Sequence, residues 1–369
     1  MSIFNKKRIV LASMLIIFLI VVFNLIEKNS LNTTTLGGTV NADYLKSTNK
    51  PAKLFNTTFK YLLNAKLMCN VTGDNLLAVF IITSYFGNTE IRNIIRKTFN
   101  KESLKKLPLK KVFLLGETHK DKFTKQQTIQ LESEKFEDIV QGNFIEAYRN
   151  LTYKHTMGLK WAGMYCPNVK YVIKMDDDTI INMHKLEYIL NSLEKIGKHP
   201  FIAGYKMNKL KPIRVPTNKW FVTSQEYFPN LYPTFVSGWF YVTTPQVALA
   251  LSTSASYYKF FWIDDVFVTG ILANALKIQI YDISKYFVVN AEFLQCCLQD
   301  FDKAIDCDKY IGPNGGDVNM FLRFNEKAEI CVEINKCNNR SAPLNDTCIA
   351  KKKVILGRGN PVIKSVKLK

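Results

Sequence analysis

The sequence predicts an α/β protein with a largely parallel central sheet flanked by helices. Two patterns alternate between Leu76 and about Asn290. Short apolar runs rich in β-branched residues are typical of buried strands, and stretches with apolar residues three or four positions apart are typical of amphipathic helices. This alternation predicts helices layered on a sheet. With 369 residues, 47% of them hydrophobic, the chain can bury a sizeable core.

The individual elements follow from the same patterns in chain order. The predicted strands are 76–84, 111–115, 170–175 and 201–205, and the predicted helices are 91–99, 144–161, 184–196 and 266–276. The region Trp220–Tyr241 is rich in aromatic residues and interrupted by Pro229, Pro233 and Gly238, which favours loops and short strands. Periodicity fades after Asn290, where the cysteines crowd together.

The N-terminal residues predict an uncleaved membrane anchor. Ile9–Ile26 is an uncharged apolar run of about 27 Å as a helix, and Lys6, Lys7 and Arg8 precede it, which keeps the N-terminus cytosolic. A cleaved signal peptide is the alternative, but the run lacks a small-residue cleavage site. The predicted organisation is a cytosolic tail (1–8), an anchor (9–26), a lumenal stem (27–75), a main domain (76–290) and a cysteine-rich C-terminal segment (291–369).

Two features agree with a body in an oxidising lumen. Glycosylation sequons begin at Asn32, Asn56, Asn70, Asn150, Asn339 and Asn345. All 8 cysteines follow the apolar run, and their even number suits disulfides. Zinc is disfavoured because the sequence has no Cys-x-x-Cys pair and no histidine after His199.

The formal net charge of +19 favours anionic partners such as nucleotides or acidic membranes. Nucleic acid is disfavoured, because the basic residues are scattered in ones to threes instead of forming one block with interleaved aromatics. A solubilising surface explains most of them.

The apolar strand Lys170–Met175 ends in three consecutive carboxylates, Asp176, Asp177 and Asp178. Adjacent negative charges repel, and a hard divalent cation would relieve the repulsion. The carboxyl end of a strand in an α/β sheet is also where ligands usually bind. The triplet therefore predicts a metal–diphosphate site. A solvated acidic turn and a structural calcium site are the alternatives.

A second acidic pair, Asp264–Asp265, opens the predicted helix 266–276. Helix capping explains such a pair, and a general base is the functional interpretation. A metal site and a separate base suit group transfer from a nucleotide diphosphate with inversion at the sugar. Arg92 and Arg96 could add charge at the diphosphate, or could simply form an exposed helix face.

Several blocks in register resemble the β-1,3-galactosyltransferase family of Golgi glycosyltransferases, which includes β-1,3-N-acetylglucosaminyltransferases. They are Arg92–Phe99, Val112–Gly116, Asp138–Val140 with Asn143–Phe144, Tyr148–Thr152 with Lys154, Trp161 and Cys166, Val172–Asp178 with Asn182, Tyr232–Pro233 with Ser237, Gly238 and Tyr241, and Asp264–Val268. The resemblance covers roughly residues 76 to 280.

The resemblance implies a GT-A nucleotide-sugar transferase fold in a catalytic domain spanning 76–290, a UDP-sugar donor, Mn²⁺ and a β-1,3 linkage. It also implies a single-pass type II protein of the Golgi membrane acting on a glycan of a protein or lipid, with homo- or hetero-oligomers left open. The implied roles are metal ligation by Asp178 and Asp176, donor contact by Asp176, Asp177, Arg92, Arg96, Ser84 and Gly238, and base catalysis by Asp265 beside Asp264.

The chain departs from the family pattern at several positions. Phe99 stands where Trp is usual, Asn143 where Asp is usual, and Val236 where Cys is frequent. Trp239 replaces a Gly beside the expected donor pocket, and the late histidine that often binds the metal is missing. These departures motivate an alternative function, a catalytically inactive relative that binds glycans or escorts other transferases in the lumen.

Overall fold

A computed structural model gives the fold. It describes residues 55, 57–70, 76–105, 107–118, 125–195, 199–333 and 337–348. The predicted anchor, Ile9–Ile26, lies outside these residues, as does most of the predicted stem. Among the described helices, none combines the length and the apolar character needed to cross a membrane.

The sheet has eight strands in the order β1-β4-β3-β2-β5-β8-β7-β9, and β10 pairs separately with β6. The strands are β1 Tyr61–Leu63, β2 Ala78–Thr83, β3 Leu109–Glu117, β4 Ile139–Ile145, β5 Tyr171–Asp176, β6 Thr179–Ile181, β7 Phe201–Met207, β8 Phe235–Thr243, β9 Gln279–Asp282 and β10 Ile311–Pro313. The pairings of β2 with β3 and β5, of β3 with β4 and of β7 with β9 are parallel. The expected mostly parallel sheet is confirmed, with β8 antiparallel to both neighbours.

The register at the centre of the sheet places the predicted acidic site. In the parallel pair β2–β5, Thr83 faces Asp176, so both strands end at the same edge. In the antiparallel pair β5–β8, Met175 faces Phe240, which brings Gly238 to that edge as well. The strand centres are apolar and fully buried, as continuous β-branched runs predict for a sheet covered on both faces.

Helices cover the sheet. The α-helices are α1 Thr89–Phe99, α2 Gln126–Phe136, α3 Leu151–Tyr165, α4 Leu186–Glu194, α5 Pro245–Ser254, α6 Ala273–Ala275, α7 Ala291–Phe301, α8 Met320–Glu333 and α9 Leu344–Thr347. Short 3₁₀-helices occupy 102–104, 148–150, 183–185, 255–257 and 284–286, and a π-helix spans Val266–Leu272.

One predicted boundary is wrong. The helix expected from Phe144 begins at Leu151, because Phe144 belongs to β4. Side chains alternate there between buried Phe144 and exposed Ile145, as in a strand. The apolar residues between Phe144 and Leu151 thus have helix-like spacing by coincidence, because this segment is the end of a strand and a turn.

The segment after Asn290 contains helices that the sequence patterns did not predict. Buried faces of α7 and α8 join the core of β2, β5 and α4, and β10 pairs antiparallel with β6. All eight cysteines form disulfides, as their even number predicted: Cys69–Cys166, Cys296–Cys348, Cys297–Cys307 and Cys331–Cys337. This segment therefore supports the sheet edge that carries Asp178.

Candidate active site

One cavity of about 690 Å³ joins the two predicted acidic groups. This volume is typical of pockets that enclose a small organic ligand. Asp176, Asp177 and Asp178 reach it from the end of β5, and Asp264 and Asp265 from the start of the π-helix. Ser84, Gly238 and Trp239 also line it. Residues far apart in sequence thus face one space, as the transfer hypothesis requires.

Asp177 is bound by the loop that follows β2. Its Oδ2 accepts hydrogen bonds from Ser84 Oγ at 2.7 Å and from Asn88 Nδ2 at 3.0 Å. Burial raises the pKa of Asp177, and these two hydrogen bonds partly offset the effect. Asp177 therefore fixes the shape of the cavity wall next to Ser84.

Lys154 holds the same loop through the carbonyl group of Ser84. Its Nζ donates to the carbonyl of Ser84 at 2.5 Å and to both carboxylate oxygens of Glu146 at 2.6 and 2.8 Å. Glu146 also accepts from the backbone N–H of Gly116 at 2.8 Å. The buried cation is thus paired with a carboxylate, the arrangement that makes its burial tolerable.

Lys174 connects the two acidic groups. It is buried within β5 and donates from Nζ to Asp176 and to the carbonyl of Gly238. Burial raises the pKa of Asp176 to about 6; the Lys174 charge opposes this shift, and the Asp178 charge adds to it. The carboxylates at the end of β5 thus raise the pKa of a neighbour, which is the mutual repulsion that the sequence predicted for the triplet.

Asp265 lies beside Gly238. Its Oδ1 accepts from the backbone N–H of Val266 at 2.8 Å, and its Oδ2 from that of Gly238 at 3.4 Å. Burial, and then the negative charge of Asp264, raise the pKa of Asp265 to about 7. A side chain on residue 238 would put its Cβ 3.0 Å from Cβ of Asp265, so a larger residue there would require Asp265 to shift.

Asp264 has a partner that sequence reasoning missed. Nδ1 of His155 lies 2.8 Å from Asp264 Oδ2, and Nε2 of the same ring lies 2.6 Å from the hydroxyl of Tyr241. Burial lowers the pKa of His155, which keeps the ring neutral. Burial alone would raise the pKa of Asp264, but the His155 hydrogen bond and the Lys174 charge hold it below its usual value.

The sequence offered only a weak signal for this network. His155 falls on the helix face that also carries Leu151 and Leu159, where a histidine is usually a satisfied core residue. Lys174 and Tyr241 stand inside apolar strand runs, and a buried Lys is rare unless it is paired. Only the fold shows that these three residues converge on the acidic pair.

Trp239, which replaces a Gly of the family pattern, lines the cavity as expected. Its ring packs edge-on against Phe287 with the centroids 5.1 Å apart, and its carbonyl accepts from Thr179 Oγ1 at 3.0 Å. The indole therefore has a fixed place in the wall.

Arg92 and Arg96, for which the resemblance implies donor contacts, do not line the cavity, and the exposed helix face offered as the alternative is wrong. Both side chains are buried away from the cavity. Arg92 pairs with Glu132 at 2.6 Å, and Arg96 pairs with Glu132 at 2.8 Å and Asp138 at 2.7 Å. The arginines on α1 pair with Glu132 on α2 and with Asp138 just before β4, and the sequence did not reveal these partners.

Arg92 nevertheless acts on the cavity indirectly, through the loop that carries Ser84. It donates to the carbonyls of Tyr85 and Phe86 at 2.7 and 3.0 Å, and to Ser84 Oγ at 3.2 Å. The salt-bridge network thereby holds the loop that carries Ser84.

The donor atoms available to a cation are carboxylate oxygens. In the described part of the chain, no three His, Cys, Asp or Glu side chains group in a way that could hold a metal ion by themselves. Mg²⁺-type sites use one or two carboxylates together with substrate phosphates and water. Asp176 and Asp178 line the cavity and fit this second arrangement.

The sheet and its cavity define the class of protein: an α/β fold whose ligand site lies at the carboxyl edge of the central strands. The family model described as Galactosyltransferase matches residues 90–284, more than half of the chain. The chain belongs to the galactosyltransferase family, as the sequence blocks predicted.

Curated relatives agree with this assignment. The chain is 35% identical over 233 residues to beta-1,3-galactosyltransferase 5 of Mus musculus, covering 62% of this chain and 73% of that protein. It is 33% identical over 236 residues to beta-1,3-galactosyltransferase 2 of Homo sapiens, covering 63% of this chain and 54% of that protein. The match thus spans about half the length of the second relative.

Among solved structures, the WbbM bifunctional glycosyltransferase in its apo form aligns with a TM-score of 0.36 and 12% identity. The alignment covers 70% of this chain and 45% of that chain. A similarity this small does not establish a common fold.

Proposed function

We propose that the protein is an inverting glycosyltransferase that moves galactose or N-acetylglucosamine from a UDP-sugar to a glycan hydroxyl in β-1,3 linkage. The single observation that carries the proposal is the common cavity of Asp176, Asp178 and Asp265. Membership in the galactosyltransferase family and the names of the two relatives support the reaction class and the linkage.

The proposed transfer is a single displacement at the anomeric carbon of the donor sugar. The acceptor oxygen forms a bond to the anomeric carbon as the bond from that carbon to the diphosphate breaks, and the electron pair leaves with UDP. Asp265 takes the proton of the acceptor hydroxyl. A pKa of about 7 suits this role, because a base tuned near the working pH is ionised and still holds a proton well.

Asp264 keeps Asp265 in its functional state. Its negative charge adds to burial in raising the pKa of Asp265, and His155 fixes the Asp264 carboxylate. Gly238 donates its backbone N–H to Asp265, and its carbonyl binds Lys174. These contacts orient the base without consuming all of its acceptor capacity.

We also propose Mn²⁺ as the cofactor, held by Asp178 and Asp176. When bound, the ion would supply positive charge to the leaving diphosphate. Ser84 lies in the same wall and is fixed by Asp177 and Lys154, so we assign it to the nucleotide side.

For localisation, we propose a type II Golgi membrane protein with its body in the lumen. Four disulfides and the sequons support an oxidising compartment. Digestion with a glycosidase should shift the mobility of the protein from secretory membranes, and protease should reach the body only after detergent treatment. Protease cleavage of the body in sealed vesicles contradicts this topology.

The deciding assay measures UDP release by the full-length chain in detergent. UDP-galactose and UDP-N-acetylglucosamine are each offered with Mn²⁺ and methyl β-glycosides, and mass spectrometry detects the extended product. Release that depends on Mn²⁺ and is lost in Asp265→Asn is expected. If neither donor is hydrolysed or transferred, and UDP does not bind in calorimetry, the enzyme proposal fails and a glycan-binding relative remains.

A further inference from the structure

A second recess, of about 420 Å³, lies outside the cavity of the proposed transfer, and its volume is within the range of small-ligand pockets. Among the described residues, none lines both this recess and the transfer cavity. We call the recess the tyrosine groove, and it is lined by His184, Lys185, Glu187, Tyr188, Asn191 and Tyr310.

Helix α4 supplies one side of the tyrosine groove. The buried side of this helix is apolar: Leu186, Ile189, Leu190 and Leu193. Asn191 lies three and four residues after Tyr188 and Glu187, so these three side chains share the opposite face, and all three are exposed. Polar groups are usual on the solvent face of an amphipathic helix, whereas Tyr188 places a large aromatic ring there that is 58% exposed.

Two further tyrosines fix the ring of Tyr188. It meets the rings of Tyr286 and Tyr310 edge-on, with the centroids 6.1 and 6.3 Å apart. The rings of Tyr286 and Tyr310 stack on each other at 5.4 Å, and the backbone N–H of Tyr310 donates to the carbonyl of Tyr286 at 2.8 Å. The exposed ring is therefore preorganised, and a ligand that packs on it costs little conformational entropy.

The charges around the tyrosine groove disfavour an ionic ligand. Lys185 Nζ lies 2.5 Å from Asp306 Oδ2, so a carboxylate already balances its positive charge. Glu187 is exposed and has no ion-pair partner in the described part of the chain, and its charge repels an anion. A single exposed carboxylate also attracts a cation only weakly. The groove is thus suited to a neutral ligand.

The polar groups of the tyrosine groove match the hydroxyls of a sugar. The Glu187 carboxylate accepts hydrogen bonds, the Asn191 amide both donates and accepts, and neither side chain is hydrogen-bonded within the residues that the structure describes. A pyranose carries hydroxyls around its rim and C–H hydrogens on its faces, and these hydrogens are attracted to the negative face of an aromatic ring. One sugar ring can therefore contact Tyr188 and both polar side chains.

Strand β10 separates the tyrosine groove from the transfer cavity. Pro313, at the end of β10, lines the cavity and pairs with Thr179. Tyr310, just before the start of β10, lines the groove, and its carbonyl accepts from the backbone N–H of Asn182 at 2.8 Å. Three residues of extended chain span roughly 10 Å, so the two sites are close neighbours.

We propose that the tyrosine groove is a second glycan-binding site, which holds a neutral pyranose ring of an oligosaccharide outside the transfer cavity. Tyr188 packs on one face of the sugar ring, and Glu187 and Asn191 bind its hydroxyls. The site goes beyond the proposed transfer reaction and does not depend on it.

Photoaffinity labelling of the full-length chain in detergent tests the site. The probes are lactose and chitotriose that each carry a diazirine, and mass spectrometry of the peptides locates the cross-link. Both neutral probes should label residues 183–194 or 305–311 of the wild-type protein. Tyr188→Ala should lower this labelling about three- to tenfold at equal probe concentration, because the ring face is lost. Tyr188→Phe keeps the ring and should stay within about twofold of wild type.

Two further variants make the result specific. Asn191→Ala leaves all three tyrosine rings in place and should lower the labelling about two- to tenfold through the lost hydrogen bond. Tyr257→Ala is the matched control, because Tyr257 is 44% exposed and lines neither the groove nor the transfer cavity. It should label like wild type, and equal urea midpoints should show that all variants are folded.

Charged probes test the class of ligand. Sialyllactose, which is an anion, and the glucosamine trimer, which is a cation, should label the same residues more weakly than the neutral probes. Labelling confined to peptides of the transfer cavity, equal labelling of Tyr188→Ala and wild type, or stronger labelling by a charged probe would overturn the proposal.

Donor hydrolysis, measured in parallel, separates this proposal from the enzyme proposal. Tyr188→Ala should hydrolyse UDP-sugars at the wild-type rate. Labelling of the groove in a protein that neither hydrolyses nor transfers from UDP-sugars supports the second site and refutes the enzyme, whereas transfer without labelling of the groove refutes the second site alone.

Discussion

Nδ1 of His155 lies 2.8 Å from the carboxylate of Asp264, and the opposite ring nitrogen lies 2.6 Å from the hydroxyl of Tyr241. A neutral imidazole satisfies both contacts at once, donating from Nδ1 and accepting at Nε2. The neighbour of the proposed base is thus held by a buried group on a different helix. Asp264 stays ionised, and its negative charge adds to burial in raising the pKa of Asp265.

Replacing the base should remove catalysis without removing donor binding. Asp265→Asn is expected to lower kcat about 10²- to 10⁴-fold, because the acceptor proton loses its destination. The donor KM should change little, and Asp308→Asn, at an exposed aspartate, should behave as wild type. Steady-state kinetics with both donors checks this. A kcat within twofold of wild type would assign the base elsewhere.

The pH dependence of kcat/KM should report the ionisation of Asp265. Because the pKa of Asp265 is raised to about 7, kcat/KM should fall as the pH drops below about 7, where the carboxylate takes up a proton. The residual activity of Asp265→Asn should lack this acid limb. Initial rates between pH 5 and 9 in buffers of constant ionic strength measure it, and an identical limb in the variant would contradict the assignment.

Asp265 should also make the fold less stable as the pH rises. Its folded pKa lies above the unfolded value of 3.8, so the unfolded state binds fewer protons in the window from about 4 to 7, and stability falls there. Asp265→Asn should be more stable than wild type above pH 7, by up to about 4 kcal/mol. The difference should vanish near pH 4. Urea unfolding at both pH values checks it, and a variant less stable at pH 8 is the opposite result.

The His155–Asp264 contact should appear as a coupling energy. His155→Ala and Asp264→Ala each leave a buried polar partner unsatisfied, so the two single losses should exceed the double loss by about 1–3 kcal/mol. Denaturant unfolding of the four proteins gives the cycle. Tyr241→Phe, which removes only a hydroxyl, should cost about 1 kcal/mol. Additive losses would show that the contact contributes no coupling.

Arg92 should act on stability and only indirectly on the donor. Arg92→Met removes the bidentate partner of buried Glu132 and leaves that carboxylate with Arg96 alone, so it should cost up to about 3–5 kcal/mol in the free energy of unfolding. The exposed pair Arg323–Asp317 is the comparison, and Arg323→Met should cost less than about 1 kcal/mol. A large rise in donor KM with unchanged stability would instead restore a direct nucleotide contact.

Removal of divalent cations should abolish transfer if the proposed cofactor is correct. EDTA treatment is expected to stop UDP release, and Mn²⁺ should restore it. Asp178→Asn should raise the half-saturating Mn²⁺ concentration at least about tenfold, because losing even a group that only orients a metal ligand weakens metal binding by about 10- to 100-fold. Full activity in EDTA would remove the metal from the proposal.

The amino-acid sequence by itself determined the elements that depend on local pattern. Apolar β-branched runs placed β2, β3, β5 and β7, and the triplet at the end of β5 marked the carboxyl edge of the sheet. The blocks from Arg92 to Val268 identified the family, because so many short motifs in one order are specific. The even cysteine count predicted disulfides but not their partners.

The tertiary structure decided which distant side chains meet. A pattern records spacing along one element, whereas His155, Lys174 and Tyr241 converge on Asp264 and Gly238 from separate elements. The same limit explains why the exposed helix face offered for Arg92 is wrong, since nothing in α1 reveals that Glu132 on α2 will pair with it. Pairing, burial and the resulting pKa values are properties of the packed chain, because they depend on what lies within a few ångströms in space.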